Sequence, residues 1–237
     1  MRIRLNAGHG AGKEHNRGGV LFNEGDNNFH YSLVLKAELE TYENVKVDLV
    51  RNKITDNPSL AQRAKMGQGY DLYLAIHSNA ASDSSVRGTE VWDSVERPNK
   101  QLAQLLCDTT AIFFNHRNRG VKYKEGKTGY NWYGELRFNQ AKSSMIIENG
   151  FHTNREDSLI FRDKQKELAV VQARTIASFY NLKKKAIKED KPHWAQKHYD
   201  SLKAKGMEIQ ETRFDDKITR GEVFALLDRI TNYKEVK

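Results

Sequence analysis

Short apolar stretches alternate with longer segments of helical periodicity along most of the chain, and this alternation limits the folds open to it. The stretches with strand character are 2–6, 45–50, 71–76, 88–92 and 143–147. The segments in which apolar residues recur at helical spacing are 27–42, 59–67, 99–114 and 165–180. Strands separated by helices pair in parallel through right-handed crossovers. We therefore predict an α/β fold with a mostly parallel twisted sheet and helices on both faces.

Side chains capable of metal binding or acid–base chemistry lie at or near the ends of the apolar runs. They occur in four fragments, which are Gly8-His9-Gly10, Glu24, Ile76-His77-Ser78-Asn79 and Ile147-Glu148-Asn149-Gly150. Open α/β sheets gather their functional residues at the carboxyl ends of their strands. His9 and His77 each follow a predicted strand, so we expect them at one sheet edge. The glycines beside His9 allow a sharp turn that lets its imidazole point above that edge.

These fragments offer the donors of a hydrolytic metal site. Catalytic zinc takes three protein ligands and leaves one position for water, and His9, Glu24 and His77 offer such a set, with Glu24 expected in a loop just before a helix. The same donors accept other divalent ions. Glu148 is the candidate for the group that takes a proton from the attacking water and passes it to a departing nitrogen. Taken singly, each residue also fits a structural or solvated role.

Other reactive side chains lack a comparable setting. The remaining histidines are predicted to be surface, capping or packing residues, and they are His15, His30, His116, His152, His193 and His198. Among them, His152 is of most interest because it is close to Glu148. Cys107, the only cysteine, lies in a helical apolar pattern and is predicted to be a small core residue without a disulfide or a catalytic role.

The charge balance favours polyanionic partners. With 39 Lys and Arg against 31 Asp and Glu, the chain has a net charge of +8 and should be drawn to polyanions such as teichoic acids, nucleic acid or acidic membrane surfaces, a choice that charge alone leaves open. No dense basic helix with interleaved aromatic residues is found, so we expect no nucleic-acid partner. The amino-terminal stretch is too short in apolar length for a signal peptide, and no stretch predicts membrane insertion. We expect synthesis in the cytoplasm.

The sequence pattern changes near residue 183. We predict a catalytic domain over 1–182, a charged linker over 183–192 that ends in proline, and a small helical module over 193–237. In the last of these, Val223, Leu226, Leu227 and Ile230 recur at helical spacing.

Residues 2–182 resemble the zinc-dependent N-acetylmuramoyl-L-alanine amidases of bacterial autolysins and phage endolysins. The resemblance rests on the four fragments, on Arg63, and on the stretches 71–80, 88–90, 118–122 and 146–154. It implies that His9, Glu24 and His77 ligate Zn²⁺ and that Glu148 is the catalytic carboxylate. It also implies cleavage of the amide between N-acetylmuramic acid and the L-alanine of the peptidoglycan stem peptide. One departure is Asn6-Ala7, where the family commonly has Asp-Pro, and this puts the support around His9 in doubt.

The segment 194–227 resembles a surface-layer-homology repeat, which implies binding to anionic secondary cell-wall polymers. A packing or dimerising appendage is the alternative. For the whole chain, the leading interpretation is a phage endolysin that reaches the wall after membrane permeabilisation or lysis. The alternatives are a mother-cell autolysin of the same activity, a zinc carboxypeptidase, and a non-catalytic wall-binding protein.

Overall fold

A six-stranded sheet forms the centre of the larger of two compact units, Met1–Lys185. The computed structural model describes residues 1–11, 17–186, 195–206 and 223. The strands are β1 (Arg2–Ala7), β2 (Lys46–Leu49), β3 (Leu72–Asn79), β4 (Thr89–Asp93), β5 (Asn118–Lys122) and β6 (Ser143–Phe151). The helices are α1 (Glu24–Leu39), α2 (Leu60–Lys65), α3 (Lys100–Phe114), α4 (Arg155–Asp163), α5 (Gln165–Phe179) and α6 (Gln196–Ala204).

The strand order is β2-β1-β3-β6-β4-β5. All pairings are parallel except that between β4 and β6, so the sheet is mixed but mostly parallel. The predicted α/β class is therefore confirmed. The two central strands, β3 and β6, are buried along most of their length and contain the apolar runs 72–76 and 145–147, because both of their faces are covered.

Alternation along the strands divides the sheet into two unlike faces. One face is apolar and packs against α1, α3 and α5 in a single core, to which β3 contributes Leu72, Leu74 and Ile76. The opposite face carries Tyr73 and Ala75 in a smaller cluster, together with Leu136 from the irregular segment 123–142. Because successive side chains of a strand point to opposite faces, His77 of β3 and Glu148 of β6 lie on this second face.

Two elements were not predicted. Strand β5 is polar and only partly buried, because it forms the sheet edge, so it lacks an apolar signature. The short helix α4 begins at the cap residue Asn154, whose side chain accepts hydrogen bonds from the N–H groups of Glu156 and Asp157. Glu24 was predicted in a loop, whereas it is the first residue of α1, with Asn23 at the cap position.

The second unit, Ala186–Lys237, is described only at Ala186, over 195–206 and at Val223. Within it, α6 (Gln196–Ala204) is the described helix. The predicted linker 183–192 lies partly outside the described residues, and so does most of the predicted module 193–237. None of the helices in the described ranges has the length and apolar character that a bilayer-spanning segment requires.

Cys107 is fully buried in the core, and burial raises the pKa of its thiol to about 11. A thiol with such a pKa is almost entirely protonated near neutral pH and is a poor nucleophile. The interpretation of Cys107 as a core residue without catalytic function therefore agrees with its surroundings.

A buried carboxylate joins α4 to the strands near the candidate site. Asp157 accepts hydrogen bonds from Arg87 Nε at 2.8 Å and from the Phe151 N–H at 3.0 Å, and it pairs with His116 Nδ1 at 3.0 Å. Burial alone would raise the pKa of Asp157, but the hydrogen bonds from His116 and Arg87 lower it. The carboxylate is therefore ionised and holds the turn that follows β6.

We predict that Asp157→Asn lowers the free energy of unfolding at pH 7 by roughly 3–5 kcal/mol. The side-chain amide of Asn has only one acceptor oxygen. Its NH2 group would face at least one of the donors that now bind the Asp157 carboxylate, and that donor would lose its hydrogen bond. Since the folded-state pKa lies below the unfolded value of about 3.9, this stabilisation is present above that value and is lost as the pH falls below it. Urea unfolding of both proteins at several pH values measures the difference.

The exposed Asp163, whose side chain contacts only Arg162 among the described residues, provides the control variant Asp163→Asn. It should unfold like the wild type at every pH. A wild-type midpoint for Asp157→Asn would contradict the assigned role.

Candidate active site

The carboxyl ends of β1 and β3 are adjacent, and this adjacency brings the two predicted histidine ligands together. Their rings are 5.0 Å apart between centroids. A Cβ atom on Gly8 would lie 2.2 Å from His77 Cε1, so only glycine leaves room for that ring. The positive φ of the turn, 61°, is found at His9 itself rather than at a flanking glycine. The glycines therefore act chiefly by permitting close approach.

Glu24 lies between the two histidines. Its Oε2 atom is 3.0 Å from His9 Nε2, and its Oε1 atom is 3.1 Å from His77 Nδ1. The Ser78 N–H also donates a hydrogen bond to Oε1 at 2.9 Å. One donor atom each from His9, Glu24 and His77 lies within 4.8 Å of the others. The structure thus brings together all three residues that the sequence predicted as ligands.

The protonation states of Glu24 and His77 are set by competition between burial and their hydrogen bonds and ion pairs. Burial alone would raise the pKa of Glu24, but the hydrogen bonds from His77 and His9 lower it far below its ordinary value. Burial alone would lower the pKa of His77, but the carboxylates of Glu135 and Glu24 outweigh it and raise that pKa. The Glu24 carboxylate is therefore ionised at the point where the three donors converge.

Glu148 lines the same cavity, which has a volume of about 340 Å³ and also contains Tyr133 in its wall. Its Oε2 atom is buried and has no hydrogen-bond partner among the described residues. Burial, reinforced by nearby carboxylates against the opposing effect of His77, raises the pKa of Glu148 to about 8. Such a carboxyl group can exchange a proton near neutral pH.

His152 also borders the cavity. Its Nδ1 atom is 3.0 Å from the Ser78 carbonyl oxygen and 3.8 Å from Glu24 Oε2. The carbonyl can only accept, so Nδ1 carries a proton and does not offer a lone pair to the cavity. His152 was singled out in the sequence because it is close to Glu148, but the sequence did not indicate its hydrogen bonds.

Sequence reasoning missed Glu135, a buried carboxylate in the segment 123–142. Its Oε1 atom is 2.8 Å from His77 Nε2, and its Oε2 atom accepts a hydrogen bond from Asn6 Nδ2. Burial alone would raise the pKa of Glu135, but the adjacent His77 lowers it, so the carboxylate is ionised. No periodic pattern surrounds this residue, and no sequence signal pointed to it.

Arg63 has a structural position. Its guanidinium donates hydrogen bonds to Asn6 Oδ1, at 2.6 Å, and to the carbonyl oxygens of Ala7, His9 and Pro58. It therefore holds the backbone that leads from β1 to His9.

The donor set fits a catalytic zinc ion. Two imidazole nitrogens and one carboxylate are a ligand combination that zinc adopts in hydrolytic sites, with one position left for water. The three side chains converge on one cavity, and the Glu24 carboxylate is ionised. Among the described residues, no other group of three or more His, Cys, Asp or Glu meets the same geometric condition.

Solved structures with a similar fold include several wall-related proteins. Cwp6 from Clostridium difficile has a TM-score of 0.66 at 22% identity, and the match covers 75% of this chain and 29% of that one. The catalytic domain of CwlV, an N-acetylmuramoyl-L-alanine amidase from Bacillus (Paenibacillus) polymyxa var. colistinus, has a TM-score of 0.67 at 22% identity, with coverages of 77% and 99%. The catalytic domain of the CD27L endolysin targeting Clostridia difficile has a TM-score of 0.60 at 22% identity, with coverages of 75% and 97%.

At such identities these structures establish the fold. No curated protein sequence matches the chain. The family model described as N-acetylmuramoyl-L-alanine amidase, Amidase_3, matches residues 3–177, a range that contains β2 to β6, all of β1 except Arg2, and all four predicted site residues. The chain therefore belongs to the Amidase_3 family of N-acetylmuramoyl-L-alanine amidases.

Proposed function

We propose that this peptidoglycan amidase is zinc-dependent, with His9, Glu24 and His77 as ligands and Glu148 as the catalytic acid and base. The bond cleaved is the amide between the lactyl group of N-acetylmuramic acid and the L-alanine of the stem peptide. One observation carries the assignment of roles. The buried, unpartnered oxygen of Glu148 and the three convergent donors line the same cavity.

Each residue has a distinct part in this mechanism. Zinc, when bound, supplies Lewis acidity, which lowers the pKa of a coordinated water and polarises a carbonyl group. Glu148 takes a proton from the attacking water at its free oxygen and gives it to the leaving nitrogen. The Ser78 N–H keeps Glu24 oriented, at 2.9 Å from its Oε1 atom.

We predict that Glu148→Gln lowers kcat on purified Gram-positive cell walls by roughly 10²–10⁴-fold while bound zinc is retained. The amide preserves the shape of the side chain but cannot accept the proton of water. Release of new amino ends without new reducing ends measures the reaction, and metal analysis measures the zinc content.

The matched control is Glu156→Gln, because Glu156 is exposed and pairs with Arg87 outside the cavity. It should cleave walls like the wild type. Undiminished activity of Glu148→Gln would remove Glu148 from the mechanism. Release of single amino acids instead of intact stem peptides would replace the amidase assignment with a carboxypeptidase.

We predict that removal of the metal by a chelator abolishes wall cleavage and that added Zn²⁺ restores it. His9→Ala should bind zinc more weakly, because only Glu24 and His77 remain of the proposed ligands, and added Zn²⁺ should restore little activity. Equilibrium dialysis against zinc and the rate of amino-end release measure the two effects. Full activity of the chelator-treated protein would contradict metal dependence.

The biological setting is a separate proposal. We infer that the chain is a phage endolysin with a catalytic domain over 1–182, a linker over 183–192 and a wall-binding module over 193–237. The wall-binding part of this proposal is supported by the resemblance of segment 194–227 to a surface-layer-homology repeat and by the net charge of +8, which favours anionic wall polymers. In this setting the protein reaches the wall after the membrane is permeabilised.

We predict that the full chain carrying Glu148→Gln co-sediments with intact walls and that this binding is lost when the anionic secondary polymers are extracted. The catalytic substitution prevents wall degradation during the assay. Sedimentation in increasing salt should show weaker binding, because the attraction is electrostatic. Equal binding to extracted walls would contradict the polymer-binding role.

A further inference from the structure

Glu135 contacts the back of a proposed metal ligand. It is 5% exposed and lies in the segment 123–142, which connects β5 to β6 without a helix or strand. Each of the two ring nitrogens of His77 faces a different carboxylate. Nδ1 is 3.1 Å from Glu24 Oε1, on the side of the other donors, and Nε2 is 2.8 Å from Glu135 Oε1.

This geometry determines which nitrogen of His77 can bind a metal. A ligating imidazole is neutral, with a lone pair on one nitrogen and a proton on the other. Glu135 Oε2 already accepts a hydrogen bond from Asn6, and Oε1 lies 2.8 Å from Nε2. A proton on Nε2 completes a hydrogen bond to Oε1, whereas a lone pair on Nε2 would face that oxygen, so the contact with Glu135 favours the form in which Nε2 carries the proton. We infer that Glu135 is the positioning residue that keeps the His77 proton on Nε2 and so presents Nδ1 to the metal.

A chain of hydrogen bonds holds Glu135 in place. Arg63 is only a donor, so its 2.6 Å contact requires Asn6 to present its side-chain oxygen, and the Asn6 NH2 group then faces Glu135 Oε2. Asn6, Arg63 and Glu135 are all buried. The order Arg63, Asn6, Glu135, His77 thus connects α2 and β1 to the site through groups with complementary donor and acceptor roles.

The same contacts account for Asn6, which lies two residues before the Gly-His-Gly motif and stands where the resembled family commonly has aspartate. An aspartate at position 6 would place a second carboxylate against Glu135 in a buried setting, where like charges repel strongly. The amide of Asn6 avoids that repulsion and donates to Glu135 instead. Asn6 therefore contacts both sides of the site. Its oxygen accepts from Arg63, which also holds the His9 carbonyl, and its NH2 group donates to Glu135 behind His77.

The test is metal affinity, and it rests on the proposed metal site. We expect Glu135→Gln to weaken Zn²⁺ binding by roughly 10–100-fold, because its NH2 group can donate to Nε2 and favour a proton on Nδ1. Competition with a chromophoric chelator gives the dissociation constant for chelator-treated full-length protein. Thermal unfolding of the same metal-free samples verifies that the variant is folded.

The matched control is Glu90→Gln. Glu90 is also a buried carboxylate on the second face, but it pairs with Arg119 and Lys122 rather than with a proposed ligand. It should bind Zn²⁺ with wild-type affinity. If Glu135→Gln does not fold, Glu135→Asp takes its place, since the shorter side chain keeps the charge but withdraws the carboxylate from Nε2.

His77→Ala separates the two proposals. If it loses zinc affinity while a folded Glu135 variant binds like the wild type, the positioning role is overturned and the metal site stands. If His77→Ala itself binds like the wild type, the metal site proposed here fails. Weakened binding in the Glu135 variant, with wild-type binding in Glu90→Gln, is the result expected from the positioning role.

Discussion

The parallel pairing of β3 with β6 in the middle of the sheet is the constraint on which the site depends. Its register sets His77 opposite Glu148, so a proposed ligand and the proposed proton acceptor are neighbours across the ladder. Because side chains alternate along a strand, a shift of one residue in either strand would turn its polar group towards the apolar core. The buried residues Leu74, Ile76 and Ile147 make such a shift costly.

Burial of several charged groups on one face requires that each be compensated. Glu24 is paired with His9 and His77, while Glu135 is paired with His77 and Asn6. An unpaired buried charge costs several kcal/mol, so these groups are retained at a cost in stability unless their partners are in place. Glu148 is the exception, because its buried Oε2 atom has no hydrogen-bond partner in the part of the chain that the structure describes, and desolvation raises the pKa of its carboxyl group.

The sequence predicted the α/β class, five of the six strands and the convergence of His9, Glu24 and His77, because each depends on a local pattern and one rule about strand ends. The edge strand β5 escaped prediction because partial burial leaves no apolar period. Glu135 escaped for a different reason. It lies in an irregular connection, and its contact with His77 spans 58 residues, so neither periodicity nor spacing could indicate it.

The irregular segment 123–142 places individual polar and apolar side chains at specific points of the second face, which a helix or strand there would not readily do. Helices α1, α3 and α5 cover the apolar face by repeating one kind of contact, whereas the second face needs individual polar groups at particular distances from His77 and Glu148. A connection made of successive turns can contribute Leu136 to the small core, Tyr133 to the cavity wall and Glu135 to the histidine within a few residues. Side chains so close together in sequence point in different directions because the backbone follows no single repeat. Glu135 and Asn6 act together in this arrangement, because one oxygen of the carboxylate faces His77 and the other accepts a hydrogen bond from Asn6 of β1.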